Sequence, residues 1–249
     1  MNRHKLLSIT ISLGKYHEFV SRIVSIAELR QSAYVCVSNV HMCIEAYYNP
    51  IFANIVNSAD IITPDGLPLV KSLKWLYGIE QDRVSGPDLM PSLLESASIK
   101  KLNVFFYGAT EEVLLDLVSF CSYRYPSLNI VGAISPPFRN LTDIEIHEHI
   151  NNINNVETNI LFVALGCPKQ EKWMSAMKGK INAVMLGVGG AFPMLVGKEK
   201  RAPLWMQKYM LEWFYRLMQD PKRLFKRYFI TNTAFIFLIV KEKILIKFR

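Results

Sequence analysis

The feature that most limits what this chain can fold into is a unit that recurs along it. A short apolar, often β-branched run ends in glycine or small polar residues, and a segment with helical spacing follows. Residues 34–37 run into Ser38-Asn39, residues 61–63 into Pro64-Asp65-Gly66, residues 102–107 into Gly108-Ala109, residues 159–165 into Gly166-Cys167, and residues 183–188 into Gly189-Gly190. Strands this apolar are buried on both faces, and strands alternating with helices pair in parallel. The expected fold class is therefore α/β, a mostly parallel sheet with helices on both faces. Further strands are expected at 6–12 and 128–134. Helices are expected at 16–29, through 46–55, from Pro68, from Ser85 to about 97, after the N-cap Thr110, at 143–152 and after Glu171.

A chain of 249 residues, 51% of them hydrophobic, has ample material for one such domain plus an appendage. Charge separates the two. Residues 198–249 carry 13 Lys or Arg against 4 Asp or Glu, whereas residues 1–197 carry 16 against 17. We read residues 1–197 as the α/β domain and residues 198–249 as a basic, aromatic C-terminal appendage. A neutral body with a basic tail points to an anionic surface, phospholipid before nucleic acid. The apolar run 229–240 spans 12 residues. A spanning helix needs about 20, so a helix lying in the membrane interface fits better; the alternative is a helix packed on the body. Cys36, Cys43, Cys121 and Cys167 form no CxxC pair and read as buried thiols.

Chemistry is expected at strand ends. In Thr63-Pro64-Asp65-Gly66-Leu67-Pro68 a strand meets a turn and then a helix, so Asp65 stands at the carboxyl end of a strand, where open α/β sheets bind ligands. The plain alternative is an Asp-Gly turn with a solvated carboxylate. The glycine-ended turns at Gly108, Gly187, Gly189 and Gly190, together with Phe138 in the loop after residue 134, are candidate substrate contacts, since main-chain N–H groups there suit phosphate. The pattern at 187–192 is no dinucleotide fingerprint, because its third glycine position is Phe192. Lys169 and Gln170 open a helix and could meet phosphate or sugar, or simply be solvated. Lys169 and Arg83 are the body's obvious cations for a diphosphate. Arg216, Arg223 and Arg227, seven and four apart, could line one helical face despite Pro221. His41 could lie near the site or be a packed histidine. No HExxH or Asp-x-Asp occurs, so neither metal nor other cofactor is expected.

Thr63-Pro64-Asp65-Gly66, Gly86-Pro87-Asp88, Pro168-Lys169-Gln170-Glu171, the run 187–192, Arg201-Ala202-Pro203 and Leu211-Glu212-Trp213, in that order, resemble the WecG/TagA/CpsF glycosyltransferases. The resemblance spans about residues 38–228. It implies a Rossmann-like body that transfers a sugar, with inversion and without metal, from a nucleotide diphosphate sugar (UDP-linked) to a polyprenyl-diphosphate-linked saccharide in surface-polymer synthesis. It implies an enzyme peripheral to the cytoplasmic face of the inner membrane, meeting an anionic membrane surface through its appendage, with no nucleic-acid partner. It places Asp65 as general base, Asn39 and Gln170 at the catalytic site, and the appendage arginines over the diphosphate. Val37 stands where the family often has Thr, and Pro193 where it usually has Asp. Two other readings remain open on the residues alone: a nucleotide-binding oxidoreductase, against which the missing fingerprint counts, and a non-catalytic membrane-surface adaptor.

Overall fold

The computed structural model describes residues 1–248, apart from the side chain of Arg223. The elements in chain order are β1 (Arg3–Leu6), β2 (Ile9–Ser12), α1 (Tyr16–Glu28), β3 (Ala33–Ser38), α2 (Val40–Tyr48), α3 (Pro50–Asn57), β4 (Ile61–Pro64), α4 (Leu67–Tyr77), α5 (Gly86–Lys100), β5 (Asn103–Gly108), α6 (Glu111–Arg124), β6 (Asn129–Ile134), α7 (Asp143–Asn155), β7 (Ile160–Ala164), α8 (Lys169–Met177), β8 (Val184–Gly187), α9 (Ala191–Leu195), α10 (Leu204–Lys208), α11 (Glu212–Gln219) and α12 (Pro221–Lys247). Six strands form one sheet in the order β4-β3-β8-β7-β5-β6, and every pairing in it is parallel.

Strand residues alternate between two cores, as the period of two demands. Tyr34, Cys36, Ile62, Phe105, Tyr107, Leu161, Val163 and Met185 face a core closed by the β1–β2 hairpin, α2, α3, α4, α8 and α12. Val35, Val37, Ile61, Val104, Phe106, Phe162, Val184 and Leu186 face a core closed by α1, α5, α6 and α9. Helices on both faces make the α/β architecture that the alternating pattern requires. Burial of these side chains, at about 1.5–3 kcal/mol each, is the main term holding the sheet between its helical layers.

Three local expectations are corrected. Residues 6–12 are not one strand but the second half of an antiparallel hairpin, with Leu7 in the left-handed region at φ 55°. The hairpin covers the β4 edge of the sheet. Ser12 Oγ accepts from the Ile62 N–H at 3.0 Å, and Arg3 donates to the carbonyls of Ala59 and Asp60 at 2.7 and 2.6 Å. Left bare, that edge would be a template for another strand. The helix expected through 46–55 is two helices. Pro50 cannot continue α2, and Asn49 before it takes an extended conformation and caps α3 by accepting from Phe52 N–H at 3.0 Å. Pro221 likewise begins α12 rather than lying within a longer helix, so Arg216 on α11 and Arg227 on α12 do not share a helical face.

The C-terminal segment packs on the body. Leu224, Thr231, Phe235, Leu238 and Ile239 of α12 recur at helical spacing and are buried, the last three in the core shared with α2 and α4. Lys243 donates to the Trp75 carbonyl at 2.5 Å and lies over its indole. The opposite side of α12 exposes Phe225, Phe229, Ile230, Ile236, Phe237 and Val240. Among the described residues no helix is long and apolar enough to cross a membrane.

Candidate active site

The carboxyl ends of four neighbouring strands, β4, β3, β8 and β7, open on a cleft of about 300 Å³. Its base is lined by Val37 near the end of β3 and Asn39 after it, Asp65 and Gly66 after β4, Gly166 and Cys167 after β7, and Gly187 to Gly190 at and beyond the end of β8. Its far wall comes from the C-terminal segment, with Glu212, Trp213 and Arg216 of α11 and Arg227, Tyr228 and Thr231 of α12. The amino-terminal ends of α2, α4, α5 and α8 also border it, through Val40, Leu67, Gly86 and Gln170. Helix amino termini present unpaired N–H groups and positive dipole ends. Four of them converging on one cleft favour an anionic occupant.

Asp65 is fixed by its backbone. Its N–H donates to the Ser38 carbonyl at 2.8 Å, prolonging the β3–β4 ladder by one bond. Thr63 Oγ1 donates to the Val84 carbonyl at 3.0 Å, and the Val84 N–H returns a bond to Pro64 at 2.9 Å. The segment before α5 is thereby tied to the same turn. From it Arg83 donates through Nε to the Asp65 carbonyl at 2.6 Å and through Nη2 to Glu212 Oε2 at 2.7 Å. Burial pushes the Asp65 carboxyl up to about 7; Arg83 and Arg216 pull it down, and Glu212 and Asp88 oppose them. A carboxylate near 7 accepts a proton far more readily at neutral pH than one near 4.

Gln170 is buried against two glycines. Its Oε1 accepts from the Gly166 N–H at 3.2 Å and its Nε2 donates to Glu171 at 2.8 Å. A Cβ on Gly187 would lie 2.9 Å from Gln170 Nε2 and 2.8 Å from Met174 Cε, so glycine there is a matter of space. A Cβ on Gly190 would lie 2.9 Å from the Arg216 guanidinium. Asn39 caps α2, accepting from the Met42 N–H at 3.1 Å. Asp88 holds Arg201 through two bonds of 2.6 and 2.9 Å, which fastens the start of the C-terminal segment to α5. The Nε of Arg227 is buried without a hydrogen-bond partner among the described residues, while its guanidinium leans on Tyr228.

Of the residues singled out in the sequence, Asp65, Asn39, Gln170, Arg83, Gly187, Gly189, Gly190, Arg216 and Arg227 line this cleft. Three do not. Gly108, at φ 105°, lies against the Ala164 backbone, where a Cβ would come within 2.5 Å of its carbonyl oxygen; its need is local packing. Phe138 is 90% exposed beyond β6, the edge strand farthest from β4. Lys169 points to solvent, one residue and about 100° of helix away from Gln170. The side chain of Arg223 lies outside the described residues. His41, left open between site and packing, lines the cleft half-buried; burial and Arg227 lower its pKa. Glu199, Gln207, Glu212, Trp213 and Tyr228 also line it and were not singled out as site residues. Glu212 carried a signal only as part of the Leu-Glu-Trp motif. Three cysteines are buried and Cys167 partly so, all as free thiols. Among the described residues no group of three or more His, Cys, Asp or Glu is placed to hold a metal ion.

Comparison with known proteins decides the family. The model of the WecG/TagA/CpsF glycosyl transferase family matches residues 4–248. The chain belongs to that family. It is 32% identical over 207 residues, 82% of its length and 79% of the relative's, to an N-acetylglucosaminyldiphosphoundecaprenol N-acetyl-β-D-mannosaminyltransferase of Bacillus spizizenii. A protein of the same name from Bacillus subtilis is 33% identical over 77% of this chain and 73% of its own. One from Staphylococcus aureus is 29% identical over 77% and 74%. The chain is thus a glycosyltransferase, and neither the oxidoreductase nor the non-catalytic adaptor is needed to account for it.

The raised Asp65 pKa has a thermodynamic consequence. In the unfolded chain this carboxyl titrates near 3.9, so between about pH 4 and 7 the folded state holds the proton that the unfolded state has released. Stability therefore falls as pH rises across that window. Asp65→Asn should raise the thermal midpoint at pH 8 and give little gain near pH 4. A pH-independent change in the midpoint would contradict the placement of an ionisable, desolvated carboxyl here.

Proposed function

We propose that this chain transfers a sugar from a nucleotide diphosphate sugar, UDP-linked, to a polyprenyl-diphosphate-linked saccharide, with inversion and without a metal ion. The relatives are named for moving N-acetylmannosamine onto N-acetylglucosaminyldiphosphoundecaprenol, and we extend that acceptor class and an N-acetylhexosamine donor to this chain. The observation that carries the proposal is the cleft itself. It sets a carboxyl poised near 7 opposite guanidinium groups at a rim of helix amino termini.

Each group has a role in that reaction. A sugar hydroxyl is a weak nucleophile, and Asp65 takes its proton as the oxygen attacks the anomeric carbon. The bond to the diphosphate breaks on the opposite face, and charge grows on the leaving oxygens. Arg216 and Arg227, on the appendage wall, meet that charge together with main-chain N–H groups of the cleft. Arg227 suits the task because its buried Nε has no partner among the described residues. Gln170 and Asn39 hold the sugar by hydrogen bonds; both amides are fixed by the contacts described above. Carboxylate attack would give a covalent intermediate and retention, whereas one base and a direct displacement invert the anomeric carbon, which from an α-linked donor gives the β linkage in the relatives' names.

The acceptor's lipid requires work at a bilayer. We place the protein at the cytoplasmic face of the membrane, held by residues 198–249. The outer side of α12 combines Phe225, Phe229, Ile236 and Phe237 with exposed Lys222, Lys226 and Lys241, and α10 and α11 add Trp205 and Phe214. Aromatic and basic side chains on one surface suit the interface of an anionic bilayer.

The test is release of UDP from a panel of UDP-sugars in the presence of a short-chain N-acetylglucosaminyl lipid diphosphate. Turnover should appear with at least one N-acetylhexosamine donor, survive EDTA, and fall by about two to four decades in Asp65→Asn. Its acid limb should rise through about pH 7, because the base must be ionised. Loss of activity in EDTA, or wild-type turnover in Asp65→Asn, would remove the metal-free base mechanism.

Membrane attachment is tested separately by sedimentation with anionic vesicles. Lys222→Glu with Lys226→Glu should weaken binding by about 1 kcal/mol or more per charge, and added salt should weaken that of the parent protein. Equal binding by both proteins would exclude this face as the anchor.

A further inference from the structure

Arg83 stands between two carboxylates, and its geometry shows which one holds it. Its Nε is pinned to the Asp65 carbonyl at 2.6 Å. Its Nη2 lies 2.7 Å from Glu212 Oε2 but 4.0 Å from Asp65 Oδ1. One nitrogen is thus within reach of both side chains, and the carboxylate that arrives from the C-terminal segment has it. The two partners are only 17% and 21% exposed, so water screens the pair weakly.

The other charged groups around Asp65 do not supply a rival for it. Asp88 of α5 is committed to Arg201, and Arg216 of α11 leans toward Glu199 at 3.8 Å. His41 of α2 and Arg227 of α12 line the same cleft without an ion pair to Asp65. Glu212 itself is faced by Arg83 and, at longer range, by Asp65 and Arg201. Arg83 is therefore the cation placed to close on Asp65 if Glu212 lets it go. None of the residues of α11 is buried, so polar anchors of this kind matter to how the helix sits.

We infer that Glu212 is a positioning residue: it draws Arg83 off the Asp65 carboxylate, so that the base is free only while α11 lies over the cleft. The inference rests on the reading of Asp65 as general base. A carboxylate locked to a guanidinium is a weaker base, and its oxygen is no longer available to a sugar hydroxyl. Arg83 favours the ionised form of Asp65 and Glu212 the protonated one, so the two act on the same proton in opposite directions. In this arrangement docking of the appendage and activation of the base are one event, and an open enzyme, with its cleft exposed to water, would hold its base in check.

The experiment compares the wild-type protein with Glu212→Gln, which keeps shape and removes charge. Aspartate is labelled with 13C at the carboxyl carbon, and Asp65 is assigned by its absence in Asp65→Asn. The Asp65 titration midpoint should fall by about one to three pH units in Glu212→Gln, the range for a carboxylate gaining a guanidinium partner. On a soluble acceptor the acid limb of kcat/KM should shift the same way. Turnover at pH 8 should drop about tenfold or more, with the donor KM within about twofold. In an Arg83→Met background Glu212→Gln should move the midpoint much less, by the direct repulsion between the two carboxylates alone. Should Glu212→Gln unfold, Glu212→Asp, which withdraws the carboxylate by one methylene, gives the same comparison with a smaller shift. A merely structural lid would lower turnover at every pH and leave the midpoint in place. An unmoved midpoint in a folded variant overturns the inference even if Asp65→Asn is inactive. Wild-type turnover in Asp65→Asn would instead remove the base reading while the titration still reported on Arg83.

Discussion

Arg83 is the joint on which the site depends. Its guanidinium bonds the carbonyl of Asp65 on one side and Glu212 on the other, and so links the sheet to α11. The segment that carries it is held by the mutual bonds of Thr63, Pro64 and Val84. A second fastening, Asp88 with Arg201, ties the chain to α5 as it leaves the body. Through these contacts the C-terminal segment forms a wall of the cleft as well as the aromatic, basic surface proposed to meet the bilayer.

The parallel sheet explains why the cleft lies where it does. Every strand in it runs the same way, so helix amino termini gather at its carboxyl edge. Glycines at Gly187 and Gly190 let Gln170 and Arg216 approach the backbone there. The same crowding desolvates Asp65 and makes its ionised form costly to the fold. Stability given up at one carboxyl is the usual accompaniment of a functional site.

Much of this was legible in the sequence, for identifiable reasons. The strands of the sheet are runs of residues that pack well on both faces, and glycine or polar turns mark their ends, which is why Asp65 could be placed at the rim; in the sequence, Asn39 and Gln170 are placed beside it only by the family resemblance. Strand order is not written in such runs. Phe138 and Gly108 follow strands just as Asp65 does, yet β6 lies at the far edge and β5 beyond β7. Lys169 and Gln170 differ only by a rotation around a helix whose first residue could not be fixed beforehand. The hairpin was hidden because its turn, Leu7-Ser8, has neither glycine nor asparagine, whereas Asn49-Pro50 did announce the break between α2 and α3. For the apolar run 229–240 the sequence favours an interfacial helix and leaves open a helix packed on the body; it packs one side on the body and leaves the other bare, a division visible only once α2 and α4 are in place. Glu212 meets Arg83 across 129 residues of sequence, and no local pattern reports such a pair.

The central claim is that the cleft is completed by the C-terminal segment, which supplies charge to the reaction and not merely attachment. Its most direct test is turnover on a water-soluble, short-chain acceptor with no lipid present, so that anchoring plays no part. Arg216→Ala and Arg227→Ala are compared there with the parent enzyme. The account predicts that at least one loses about 2–4 kcal/mol of barrier stabilisation, roughly thirtyfold to a thousandfold in rate. Parent-like turnover in both would show that the segment is an anchor alone.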